Sequence, residues 1–587
     1  MKRNKLFIEL FYKKVTTHKS RSNSAVYRFA ALAIMITLCG TGCNKQLNIV
    51  PQDEITDVVY WKTSSDFKTA ANTLYQGLDR FGFDDTWSDI AFNNPNPISN
   101  GTLTVSQDGT NNVGGQPQWA MSYQYIRDAN NILAHGAGLP DAGIQQYVAE
   151  ARFFRAWYYW KIMEIYGGVP LITTVPQTND AALYAPRSTQ KQTADFIISD
   201  LNAAAANLPL QSDLSSPDIG RITKGAALSL LARVALYEGT WEKFRGQSDG
   251  NAYFAQAITA ANTVMNSGVY ALYNGSGAQS YRYNFIEAGD DSKECILDRR
   301  YARGILGQEY PYDCDGTGYN PTKKLADMYL DTAGVPITSS GTMFQGYATM
   351  TSEYKFRDPR MTMTMIIPGK ETVRVFHPII PVPNYPDNPQ RNPSTGYILY
   401  KYMSEDPVAN NSGENGDGSL FDFDRHLIRY AEVLLIYAEA TFESTGQLSD
   451  GDLAISINVI RDRVGMPHLT NAFLALHNMD MRTEIRRERT VELALEGFRY
   501  DDVRRWKTAE TEMPENIEGI KIKGSTWQTY PLYSTAIYQA KADVNGFMIS
   551  ESGRTFDPAK SYLQPLPTQE INLYQSAGHT LQQNPGW

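Results

Sequence analysis

The 587-residue sequence is short of the residues that most often carry chemistry: it has four cysteines and seven histidines. The histidines, at 18, 135, 377, 426, 468, 477 and 579, include no pair at helical ligand spacing, and the cysteines form no CxxC, so the sequence reads as having no zinc or iron site. No GxxxxGK[ST] phosphate loop and no GxSxG elbow is present, and GSGAQS at 275–280 lacks the last glycine of a dinucleotide fingerprint. No cofactor is called for. Paired carboxylates carry no short motif, which leaves a glycosidase open. Positive charge is scarce as well. The formal net charge is −9, and the first 42 residues hold eight Lys or Arg against Glu9 alone, so without that +7 the remainder stands at −16. Such an acidic chain is a poor ligand for nucleic acid, which is bound through Lys and Arg.

Long hydrophobic runs are missing too. The longest candidate, FAALAIMITLCGTG at 29–42, has 14 residues, too few to span the ~30 Å hydrocarbon core as a helix. Following a basic lead it reads as a signal peptide over 1–42. Cys43 follows Gly40, Thr41 and Gly42, small residues that suit lipoprotein processing, which predicts lipid on Cys43. Gly40 stands where a lipobox usually has Leu, and the basic lead is long for a signal. Ordinary cleavage, with Cys43 unlipidated, is the alternative. Residues 43–60 then form an anchor and extended tether. The other two cysteines, Cys295 and Cys314, fit either a disulfide in an exported protein or two small buried thiols.

Aromatic and aliphatic residues are plentiful: 42% of the chain is hydrophobic and 12% aromatic, enough for a large core. The strongest helical signal is AEARFFRAWYYWKIMEIYGGVPL at 149–171. Phe153, Trp157 and Trp160, and Phe154, Tyr158, Ile162 and Ile165, recur at helical spacing, so apolar surface wraps most of the helix and calls for partners on several sides. Gly167, Gly168 and Pro170 predict a stop at Tyr166. Helices are further expected near 65–82, 119–135, 190–207, 221–240, 252–267, 425–444, 451–463 and 482–507. Alanines line the face of Ala226, Leu230, Val234 and Leu236, which lets a neighbour come close. The expected fold is mainly α, with stacked helical hairpins in blocks at 61–269 and 425–587 and a Gly, Tyr, Asn and Pro-rich, partly β subdomain inserted at 270–424. In the charged segment 484–506, Glu484 with Arg487, Glu496 with Arg499, and Asp501 with Arg505 are spaced as helical ion pairs. DGSLFD at 417–422 gathers oxygens without the full calcium-loop pattern.

Seven segments, in order, resemble the SusD/RagB family of outer-membrane nutrient-binding lipoproteins: LNIVPQDEIT after the cysteine, ARFFRAWYYWKIMEIYGGVPL, GRITKGAALSLLARVALYEG, YKFRDPRM at 354–361, IRYAEVLLIYAEA, IRRERTVELALEGFRYDDVRRW, and YLQPLPTQEINLYQ with the terminal LQQNPGW. The resemblance implies a tetratricopeptide-like α-superhelix of four hairpins beside a loop-rich C-terminal portion. It also implies a surface-exposed outer-membrane anchor and a SusC-like TonB-dependent transporter as partner. The shared motifs are scaffold, so the ligand stays open: a glycan is expected first, with peptides or a hidden surface hydrolase as alternatives, and a scaffold without a small ligand as a third reading.

Sugars stack C–H faces on aromatic rings and need polar groups for their hydroxyls. Two stretches offer both: 87–100, with Trp87, Asn93 and Asn94, and 308–320, with Tyr310, Tyr312, Asp315 and Tyr319. In glycan-binding relatives, loops in roughly these regions supply stacking residues, and the transfer is by region only. The competing expectation is that these rings pack the loops onto the body.

Overall fold

The computed structural model describes residues 60–105, 119–178, 180–315, 319–369, 394–406, 408 and 421–587. The signal, Cys43 and most of the tether lie outside them. So do residues 417–420 of the acidic loop and the side chains of Tyr312 and Asp315. Residues 63–587 form one compact unit.

The unit is built on α-helices: α1 Ser64–Leu74, α2 Trp119–Gly136, α3 Ala142–Tyr166, α4 Gln190–Asn207, α5 Lys224–Phe244 and α6 Asn251–Met265. After a long irregular stretch come α7 Tyr430–Thr445, α8 Ile457–Val464, α9 Met481–Glu492 and α10 Arg499–Arg505. From α2 to α6 each helix packs on the next, and α7 continues the row against α6 and α5, with α8 and α9 beyond it. Neighbour-on-neighbour stacking of antiparallel pairs is how helices with wide apolar faces bury them. The mainly α, hairpin-stacked fold expected from periodicity is the one observed.

α3 is the hub. The Asp141 side chain caps its start by accepting from the Ile144 amide at 3.0 Å, and it ends at Tyr166, as the glycines imply. Gly167 there adopts φ 74°, a conformation costly for any residue with a Cβ. Phe153, Phe154, Tyr158, Tyr159 and Ile162 are fully buried because α1, α2, α4 and α5 surround them; each such side chain contributes about 1.5–3 kcal/mol of hydrophobic stabilisation. Two ion pairs orient the hub. Arg155 Nε meets Asp200 Oδ2 of α4 at 2.7 Å, and Glu150 takes Arg221 at 2.6 Å. The alanine-rich α5 does allow close approach: a Cβ on Gly239 would lie 2.7 Å from the Phe254 ring of α6.

Four helix expectations needed correction. The segment 65–82 is α-helical only to Leu74, followed by a 3₁₀ turn at Tyr75–Gly77. Residues 425–429 are a strand, with the helix starting at Tyr430. The segment 451–463 divides into Asp450–Ala454 and α8. The segment 482–507 divides into α9 and α10, since Leu495 (φ 65°) and Gly497 (φ 91°) turn the chain between them. That break takes Glu496 and Arg499 off a common helix. Glu496 pairs with Arg429 and Lys401, and Arg499 with Asp89. Arg505 meets Glu439 and Asp502 rather than Asp501, which pairs with Arg504. Glu484 and Arg487 do pair, at 3.2 Å.

Among the described residues the strands form three antiparallel pairs: β1 Ala91–Phe92 with β3 Asn320–Pro321, β2 Cys295–Arg299 with β4 Arg425–Arg429, and β5 Ile517–Lys521 with β6 Phe547–Glu551. β2 and β3, from the loop-rich middle, each pair with a strand outside it. A buried ionic knot ties the same regions together. Arg429 reaches Glu294 at 2.8 Å, Glu492 at 2.7 Å and Glu496 at 2.7 Å, while Arg463 and Arg360 also hold Glu492, at 2.6 and 3.0 Å. Both Cys295 and Cys314 are buried and neither is in a disulfide. No described helix is long and apolar enough to cross a membrane.

Candidate ligand-binding site

The β1–β3 pairing brings together the two stretches singled out in the sequence, with Ala91 opposite Pro321 and Phe92 opposite Asn320. Side-chain bonds strengthen the junction: Thr322 Oγ1 donates to the Asp89 carbonyl at 2.8 Å, and the Tyr319 hydroxyl accepts from the Asp85 amide at 3.3 Å. Most of the expected stacking rings, however, face inward. Tyr310 is 4% exposed and Tyr319 fully buried. Trp87, at 8%, lies edge-on to Tyr500 at 5.9 Å. It lines a cavity of about 100 Å³ with Trp160, Lys161, Glu164 and Tyr237. Asn93 is half-buried and Asn94 exposed just past β1, and Asn94 Nδ2 donates to Asn93 Oδ1 at 2.9 Å.

The buried tyrosines form the base of an aromatic platform whose upper rings the sequence reading missed. After α1 and a 3₁₀ turn at Tyr75–Gly77, the chain runs through Arg80, exposed, and Phe81 and Phe83, both half-buried. Phe81 stacks on Tyr310 at 4.5 Å and on half-buried Tyr301 at 5.7 Å, and meets Tyr402 and Phe423 edge-on. Phe83 leans on Tyr310 and Tyr319 at 6.1 and 5.5 Å. Rings clamped from below are held in place before any ligand arrives, which removes an ordering cost from binding. The helix expected over 65–82 concealed these rings; Gly82 between Phe81 and Phe83 was the available sign that the helix had already ended.

Polar groups stand beside the platform. The Tyr301 amide donates to Asp424 Oδ1 at 2.7 Å. Two residues on, exposed Arg303 pairs with Asp406 and, at 3.2 Å, with Asp422. Its hydrogen bond to Asp406 raises the guanidinium's pKa, so it stays charged. Glu287, whose pKa burial raises, accepts from Ser404 and lies with Asp406 and Asp422 in a carboxylate group whose oxygens fall within 4.8 Å of one another. Half-exposed rings next to Arg and Asp side chains can take both faces of a sugar: its C–H surface by stacking and its hydroxyls by charge-assisted hydrogen bonds. A second group able to hold a metal ion comprises buried Cys295 and half-buried Asp298 and His426.

The sequence model described as "SusD family" matches residues 263–587, and another described as "Starch-binding associating with outer membrane" matches residues 82–236. A SusD-like protein of Bacteroides ovatus is 24% identical over 497 residues, 81% of each chain. Among solved structures, a SusD-like carbohydrate binding protein of Bacteroides fragilis superposes with a TM-score of 0.71 at 25% identity, covering 87% of this chain and 98% of its own. The surface glycan-binding protein A of Bacteroides fluxus shares the fold, with a TM-score of 0.56 at 18% identity over 89% of this chain and all of its own.

Proposed function

The chain belongs to the SusD family, and from that premise we propose that it binds an oligosaccharide at the bacterial surface, does not cleave it, and passes it to a SusC-like TonB-dependent transporter. The observation that carries the reading is the platform of Phe81, Phe83 and Tyr301 resting on buried tyrosines, with Arg303, Asp406 and Asp422 paired beside it. Names of relatives that bind carbohydrate and surface glycan support the ligand class. Asn93, Asn94, Tyr312 and Asp315 remain proposed contributors from the adjoining loops. Lipid on Cys43 is proposed to hold the protein to the outer membrane, since stable anchoring takes more than one acyl chain and bacterial lipoproteins carry several.

Calorimetry of the purified protein against a panel of polysaccharides and peptides tests the reading. One oligosaccharide class should give heat of binding, and no new reducing ends should form on long incubation. Silence across the glycans, or heat from peptides alone, rejects the ligand class; steady release of reducing ends rejects the non-catalytic part. In cells, radiolabelled palmitate should enter the wild type and not Cys43→Ala; equal labelling of both places the lipid elsewhere.

A further inference from the structure

β2 and β4 place Asp298 directly opposite His426. Three residues along a regular strand, Cys295 would point to the other face. The register is irregular between Cys295 and Asp298, however, and this brings the thiol round to the same side. Cys295 Sγ lies 3.3 Å and Asp298 Oδ1 2.8 Å from the same nitrogen, His426 Nδ1. The other ring nitrogen, Nε2, faces the backbone carbonyl of Asn284. A carbonyl only accepts, so Nε2 carries the hydrogen, and a neutral ring would turn the lone pair of Nδ1 on the Asp298 carboxylate. A proton or a metal ion must therefore lie between Nδ1 and Asp298 Oδ1. All three side chains are nearly shielded from water.

We propose that Cys295, Asp298 and His426 form a zinc-type metal site that clips β2 to β4. The mixed sulfur, nitrogen and oxygen donor set suits a borderline ion such as Zn²⁺, whereas Ca²⁺ and Mg²⁺ take oxygen ligands. The Nε2–H···O=C contact is the outer bond that orients a metal-ligating histidine. Charge balances: thiolate, carboxylate and neutral imidazole around Zn²⁺ sum to zero, and binding releases two protons, one from sulfur and one from Nδ1. Ser292 Oγ, 3.5 Å from Sγ, can donate to the thiolate. Arg300, the neighbouring cation, is bound to Asp291 at 2.5 Å and stands 3.7 Å from Asp424.

The test is a titration of metal-free full-length protein with Co²⁺, followed in the near ultraviolet, and with Zn²⁺, followed by equilibrium dialysis and metal analysis. About one ion per chain is expected, with a thiolate-to-cobalt charge-transfer band and a rise in Tm on adding zinc. Cys295→Ser should abolish the band and His426→Gln should weaken binding at least about tenfold, both with unchanged circular dichroism. Wild-type protein that shows no cobalt–thiolate band and retains no zinc overturns the proposal and leaves an imidazolium at His426; a band that survives Cys295→Ser also overturns it. Because these readouts involve the metal alone, they stand or fall independently of glycan binding.

Discussion

Tyr301 and Tyr310 touch the same Phe81 ring, yet their surroundings assign them different work. Tyr310 is buried among Phe81, Phe83, Tyr319 and Tyr402, and burial drives its hydroxyl pKa far above the ordinary tyrosine value. Tyr301 is half-open to solvent. Tyr301→Ala should therefore weaken oligosaccharide binding by about 1–3 kcal/mol, the loss typical of an aromatic anchor, with little change in Tm. Tyr310→Ala should instead cost about 3–5 kcal/mol of folding stability, as large-to-small changes of core aromatics do. Calorimetry and urea denaturation on the same samples separate the two; equal stability losses would make Tyr301 a core residue. Which of two tyrosines nine positions apart faces outward is invisible in the sequence, because neither sits in a periodic segment.

Among the elements, the α9–α10 segment shows where local pattern stops being a guide. Its charges are spaced as helical ion pairs, but Glu488, Glu492 and Arg499 are buried, the Glu496 side chain nearly so, and all four bond across the chain. Glu492 illustrates the balance: burial alone would raise its pKa, and Arg463, Arg429 and Arg360 together hold it far below the carboxylate range. Breaking such a knot costs more than the knot itself contributes, since the partners left behind are charged and dry. Arg429→Met should destabilise by about 3–5 kcal/mol in urea denaturation. A loss below about 1 kcal/mol would mean that water or rearranged side chains satisfy the three glutamates.

For the whole molecule, these groups set a pH profile. Glu439, which burial would raise but Arg505 and Arg489 hold down to about 2, contributes stability that is complete above its unfolded pKa of about 4.3 and is lost as the pH falls toward its folded value. Glu164, Glu238 and Glu353 are raised by burial to about 7. Between about pH 4.3 and 7 the folded chain keeps protons there that the unfolded chain has lost, so stability falls as pH rises through that window. Metal-free protein should melt highest near pH ~5 and lower at both pH ~3 and pH ~8. A Tm that climbs steadily from pH 5 to 8 would contradict these environments.

The sequence by itself determined the helical class, the end of α3 at Tyr166, the positions of α2, α4 and α6 within two residues, and the family, because periodicity, caps and scaffold motifs are written within a few turns of chain. Only the tertiary structure decided which aromatics form a surface, which ion pairs exist, and that Cys295 and His426, 131 residues apart, meet across two short strands. Those outcomes depend on how the loop-rich middle folds back onto both helical blocks, and a contact between distant segments leaves no local period to read.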